Sequence, residues 1–204
     1  RELIMKIMGI DLAGKEENPT GICILKMNGK ISLHTLYGDG EILEKISQDK
    51  PSLIVVDAPL SLPKGRCCLE KECECAVGGH FRQSEREIRR YGPVLPLTFT
   101  GMKMLTMRGV GLAEAMGRAF KGRCQLKETH PRTVQKILGF KDLKRDLGEY
   151  FQMPRDSNEH ELDALLAALT GFFYLQNCSL ELGDRDEGTI IIPQGRECLQ
   201  KLKE

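Results

Sequence analysis

The sequence predicts an α/β protein on a mixed five-stranded sheet: a three-stranded antiparallel meander joined to parallel strands, flanked by helices, with a cysteine-rich insertion. Three observations predict it. An Asn-Gly pair sits between two apolar runs, a short β-branched run ends in an acid, and a late helical stretch is apolar on nearly all sides. With 204 residues, 41% of them apolar, the chain can bury one substantial core, so 1–204 reads as a single domain carrying an insertion at 61–101.

Leu3 to Leu12 reads as an apolar strand, broken at Ala13-Gly14 and followed by a polar loop. Gly21 to Met27 is a second strand. Asn28-Gly29 then signals a hairpin, which makes Lys30 to Tyr37 a third strand antiparallel to the second. Ile42, Leu43 and Ile46 share one helix face within Glu41 to Gln48, closed by Pro51. Leu53 to Val56 is a buried strand ending at Asp57-Ala58-Pro59. From Ser61 to Gly101 the pattern is irregular, with one helix marked by Ser84 and Glu87 in capping-box spacing. Leu112, Met116 and Phe120 mark a helix over Gly111 to Phe120. Arg123 to Thr129 reads as a strand bearing Glu128, and Pro131 opens a helix stopped by Gly139. Asp156 with Glu159 reads as the cap of the last helix, which runs through Leu175, and Thr189 to Ile192 as an edge strand ended by Pro193.

No basic, apolar and small-residue succession marks an export signal, and no window approaches eighteen uninterrupted apolar residues. The expectation is a cytoplasmic protein without a membrane partner. The net charge is +1, but from Thr100 to Arg145 there are 11 Lys and Arg against three acids, which fits a surface facing nucleic-acid phosphates or, equally, ordinary solvated helix faces.

Asp11, Asp57 and Glu128 stand at strand ends, where ligands of such sheets bind, and Asp163 stands on the last helix. Clustered carboxylates need a counter-charge, and two divalent ions, Mg2+ or Mn2+, are the usual arrangement for phosphodiester cleavage. Asp11 and Asp57 also fit turn-forming roles beside Gly or Pro, and Glu128 an ion pair with a nearby Lys or Arg. Asp163, in an apolar helix, demands a partner or a metal.

Met8-Gly9-Ile10-Asp11, Val55-Val56-Asp57-Ala58-Pro59, Glu128-Thr129-His130-Pro131 and His160-Glu161-Leu162-Asp163-Ala164, in that order, resemble the predicted nucleases of the domain of unknown function 429 family. That family is similar to the ribonuclease H and Holliday-junction resolvase superfamily, and the resemblance runs from Met5 to about Tyr174. It implies a ribonuclease H-like fold and, as the family's own inferred activity, a metal-dependent nuclease. Within it Asp11 would bridge two metals, Asp57 and Asp163 would each take one, and Glu128 would be a fourth ligand or orient water. His160, on the same helix face as Asp163, would move a proton or touch the scissile phosphate; its alternative is a solvent-exposed first-turn histidine. His130 is either a substrate-binding residue or only a helix-start residue.

Gly9 to Lys15 spells most of a phosphate loop, but Glu16 stands where Ser or Thr must hold magnesium, and strand residues continue through it. Lys15 remains a candidate phosphate contact. Arg86 and Arg90, four apart, would clamp phosphates or pair with Glu85 and Glu87. Cys67, Cys68, Cys73, Cys75 and His80 fit one structural zinc, redox-active thiols, or a disulfide. Cys23, Cys124, Cys178 and Cys198 read as small core hydrophobes. Two other function classes compete with the nuclease. One is a non-catalytic nucleic-acid-binding module with a zinc-stapled insertion. The other is a nucleotide-binding protein of the actin and sugar-kinase type, which needs two such domains where this chain has length for one.

Overall fold

The computed structural model describes residues 5–203. Its sheet is built from β1 (Lys6–Asp11), β2 (Thr20–Lys26), β3 (Ile31–Leu36), β4 (Leu53–Asp57), β5 (Gln125–Glu128), β6 (Ser179–Asp184) and β7 (Gly188–Pro193), in the spatial order β3-β2-β1-β4-β5-β7-β6. The meander forms at the expected hairpin, where Gly29 donates its N–H to Lys26 O at 2.9 Å. β4, β5 and β7 continue in parallel from β1.

The sheet therefore has seven strands, not five. The run expected as an edge strand, Thr189 to Ile192, is the interior strand β7, covered on its outer side by β6. β6 escapes a sequence reading because Leu180 and Leu182 are its only large apolar residues and Gly183 interrupts the alternation.

The α-helices of the described residues are α1 (Asp39–Asp49), α2 (Gln83–Ile88), α3 (Thr100–Phe120), α4 (Pro131–Leu138), α5 (Leu143–Gly148) and α6 (Glu159–Leu175). Strand side chains alternate between the two sheet faces. Ile7, Leu53 and Val55 pack under α6 and α4, whereas Met8, Ile10, Ile54 and Val56 pack under α1 and α3. A third cluster, Ile88 with Leu182, Ile190 and Ile192, seats α2 on β6 and β7.

Two helix starts differ from expectation. Asn158 rather than Asp156 caps α6, accepting from Glu161 N–H at 3.0 Å while Glu161 accepts from Asn158 N–H at 3.1 Å. Ser84 is buried inside α2, and Glu85 instead accepts the Arg82 N–H at 2.8 Å. α3 begins eleven residues before Gly111, at Thr100, where glycines at 101 and 109 blur the helical pattern. Cys178 and Cys198, expected as separate core hydrophobes, form a disulfide that ties the strand after α6 to the C-terminal 3-10 turn. No helix is long and apolar enough to cross a membrane among the described residues.

Candidate functional site

The position of the site follows from how closely α6 lies on the sheet. A Cβ on Gly9 would stand 1.9 Å from the Ala164 carbonyl oxygen, and one on Gly21 would stand 1.9 Å from that of His160. Only glycine at these two strand positions admits the helix backbone. The contact brings the first turns of α6 beside the end of β1, and His160 Nδ1 lies 2.8 Å from Asp11 Oδ2.

Asp11 and Asp57 are paired residues of adjacent parallel strands, so both point to the same face. It is the α6 face, because Val55 and Ile7 on the same parity belong to the core under α6. Asp163 joins them from the second turn of α6. A cleft of about 520 Å³ is lined by these three acids together with His130, Arg132 and His160, and is walled by Pro93, Val94, Leu97, Met102 and Leu105 from the insertion and α3.

The electrostatics of the three acids are unfavourable to their charge. Burial, then the neighbouring Asp11 and Asp163 charges, push Asp57 well above the usual carboxylate range. Burial and Asp11 push Asp163 up to about 6. Burial also raises Asp11, against the pull of His160. Arg132, exposed in the first turn of α4, is the cation whose charge opposes the shifts of both Asp57 and Asp163.

Glu128 lines the same cleft but faces the other way. It is the register partner of Val56, not of Asp57, so its side chain leaves the sheet on the α1 and α3 side. There the fully buried Arg82 takes it: Nη1 lies 2.9 Å from Oε2 and Nη2 2.5 Å from Oε1, while Leu60 N–H donates to Oε2 at 3.1 Å. Arg82 also binds both oxygens of Glu85 through Nε, each at 3.1 Å. The two carboxylates outweigh burial and hold Arg82 firmly protonated. Burial still raises the Glu128 carboxyl above its usual range, but Arg82 opposes the shift. Glu128 thus has a resident cation, the ion-pair alternative that its sequence allowed.

The remaining candidates are dispersed. His130 caps α4, its Nδ1 accepting from Thr133 N–H at 3.3 Å, and burial lowers its pKa, so it stands in the cleft as a neutral group. Lys15 is exposed and 3.7 Å from Glu17. Arg86 and Arg90 are exposed outside the cleft lining, with Arg90 over the Tyr91 ring. Much of the basic segment is engaged internally: Arg108 with Asp39 and three backbone carbonyls, Lys127 with Glu181, and Arg145 with Asp146.

Sequence reasoning missed Arg132 and Arg82. Arg132 carried a signal, since a cation in the first turn of a helix opposes the helix dipole and calls for a nearby anion. Arg82 carried none, lying in an aperiodic loop.

Among the described residues, Cys67, Cys68, Cys73 and Cys75 bring their sulfur atoms within 4.8 Å of one another. His80 stands apart from them, with its Nδ1 2.8 Å from Thr98 Oγ1.

No family model and no curated protein sequence matches the chain. Among solved structures, T. thermophilus RuvC in complex with a Holliday junction substrate is similar, with a TM-score of 0.51 and 14% identity over 85% of this chain and 96% of that one. The fold is RuvC-like. That likeness supports the ribonuclease H-like fold, here on a sheet of seven strands.

Proposed function

We propose that this RuvC-like chain is a divalent-metal-dependent nuclease, of the same kind as the predicted nucleases of the domain of unknown function 429 family, with Asp11, Asp57 and Asp163 holding Mg2+ or Mn2+. The observation that carries the reading is the convergence of three carboxylates on one sheet face, in a cleft where burial and mutual repulsion oppose their ionisation. Hard oxygen donors in that condition fit a hard divalent cation, which would relieve the repulsion that Arg132 only reduces. When bound, such ions activate water and stabilise charge on a phosphodiester.

The chain's own groups supply the rest. Arg132 binds a phosphate oxygen at the open side of the cleft. Asp11 holds His160 through Nδ1, which leaves Nε2 as the position that accepts or returns a proton. The apolar wall at Pro93 to Leu97 limits water on the far side. Glu128, neutralised by Arg82, orders the floor of the cleft and is not a metal ligand in this reading.

The partner is nucleic acid, and branched DNA is the first substrate to try because the RuvC neighbour was solved with a Holliday junction. Incubation of the purified chain with branched and linear DNA, RNA and hybrids, with Mg2+, Mn2+ or chelator, tests the reading. Cleavage that requires the ion and disappears in Asp163→Asn is expected. Binding without cleavage, unchanged by chelator, would instead favour the non-catalytic binding module.

A further inference from the structure

The insertion between β4 and α3 lacks what usually holds a loop together. Between Lys64 and His80, Leu69 is the one buried apolar side chain, and Val77 is 93% exposed. The loop nevertheless folds tightly around Arg66, whose guanidinium is buried and donates to the carbonyls of Gly79, Cys68 (3.2 Å), Glu70 (3.3 Å) and Ala76 (3.4 Å). Arg66 makes no salt bridge among the described residues, so a positive charge is set at the centre of the loop with only carbonyl dipoles against it.

Around that centre stand the four thiols. Cys67 and Cys73 have sulfurs 3.9 Å apart, and Cys68 and Cys75 have sulfurs 3.6 Å apart. A disulfide needs about 2.05 Å, whereas a tetrahedral ion with metal–sulfur bonds of about 2.3 Å spaces its sulfurs by roughly 3.8 Å. The two observed separations bracket the second value. Elsewhere in the chain, Cys178 and Cys198 are bonded to each other, so the four loop cysteines differ from a pair already bridged.

We propose that Cys67, Cys68, Cys73 and Cys75 bind one structural Zn2+ as a tetrathiolate, with His80 outside the ligand set. Each thiol loses its proton to solvent as its sulfur bonds the ion, and the centre carries two negative charges, one of which the Arg66 guanidinium offsets. The zinc takes the place of the apolar core that the loop lacks. Its consequence reaches the cleft, because the chain leaving the knuckle is fastened at once. Leu97 N–H donates to His80 O at 3.0 Å, and two residues later Arg82 enters its ion pairs with Glu85 and Glu128. The knuckle is a positioning element for Arg82 and for the Pro93 to Leu97 wall.

The test is made on the full chain without substrate, so it stands apart from the nuclease reading. Elemental analysis after purification is expected to show one zinc per chain, and alkylation of the four thiols should require chelator. Replacement by Co2+ should produce thiolate charge-transfer bands and the d–d bands of a tetrahedral site. Cys68→Ser and Cys75→Ser should each weaken zinc binding by roughly tenfold or more. After chelation, protease should cut between Lys64 and His80. Should the variants fail to fold, the Co2+ spectrum of the unaltered chain decides. Iron in place of zinc, two disulfides among the four cysteines, thiols that alkylate freely in the metal-replete protein, or an octahedral Co2+ spectrum would each overturn the proposal.

Discussion

Two groups of acids share one cleft and differ in the face of the sheet they leave from. Asp11, Asp57 and Asp163 lie under α6 with their ionisation opposed by burial and, at Asp57 and Asp163, by neighbouring carboxylate charge. Glu128 and Glu85 lie on the opposite face, gripped by an arginine that is itself fully buried. A strand-end address alone does not make an acid a metal ligand. The resident counter-charge is the difference: the Glu128 group has its cation in the chain, and the proposed metal site at Asp163 would take one from solution.

The two faces differ most in what Arg82 holds. Arg82→Met leaves two buried carboxylates without their cation, and such a loss costs about 3–5 kcal/mol. Denaturant unfolding should show the same loss with and without Mn2+, because the pair is independent of the metal. A loss seen only with Mn2+ would mean that Arg82 belongs to the metal site.

Gly9→Ala should cost about 1–3 kcal/mol, since its Cβ meets the α6 backbone and must push the helix away. The displacement carries Asp163 and His160 from Asp11. Mn2+ affinity should therefore fall together with stability, whereas the Arg82–Glu128 pair, on the other face, should hold. A loss of stability with Mn2+ affinity intact would show that the helix position does not assemble the acids.

The α6 face also responds to pH. Asp57 and Asp163 have folded-state values above those of the unfolded chain. The unfolded chain therefore releases their protons first, and stability falls as pH rises. The Asp163 contribution is greatest below the ordinary carboxylate value near 4 and is lost as pH climbs through about 6, while that of Asp57 has the same sign. For Asp163, partly open to solvent, the change is on the order of 1 kcal/mol after allowance for screening. Metal-free Asp163→Asn should flatten the slope and match or exceed the parent above pH 6. A metal-free parent that gains stability across this interval would contradict the repulsion.

The α6 face was largely legible in the sequence. Asp11 and Asp57 each end an apolar β-branched run, and Asp163 is the one charge in an otherwise apolar stretch, so each stands out against its neighbours. Glu128 was legible as a strand-end acid but not as an opposite-facing one. Its orientation depends on a one-residue offset in register, Val56 rather than Asp57 being its partner, and register is set by the assembled sheet. Arg82 was illegible for a related reason, because its loop has no period to place it. β6 and the covered position of β7 were missed because six residues with a glycine inside carry little pattern. The disulfide joins cysteines twenty residues apart whose neighbours read simply as core.

The measurement that bears most directly on the difference between the two faces is the thermal shift produced by Mn2+ in Asp163→Asn and Glu128→Gln beside the parent chain. Both substitutions remove one carboxylate charge from the same cleft at nearly constant volume. The two-face account predicts that Asp163→Asn loses most of the Mn2+-induced stabilisation while its metal-free stability is kept or raised. Glu128→Gln should lose metal-free stability, because Arg82 is left under-paired, yet keep the Mn2+ shift in full. Loss of the Mn2+ shift in Glu128→Gln with the shift retained in Asp163→Asn would contradict the account.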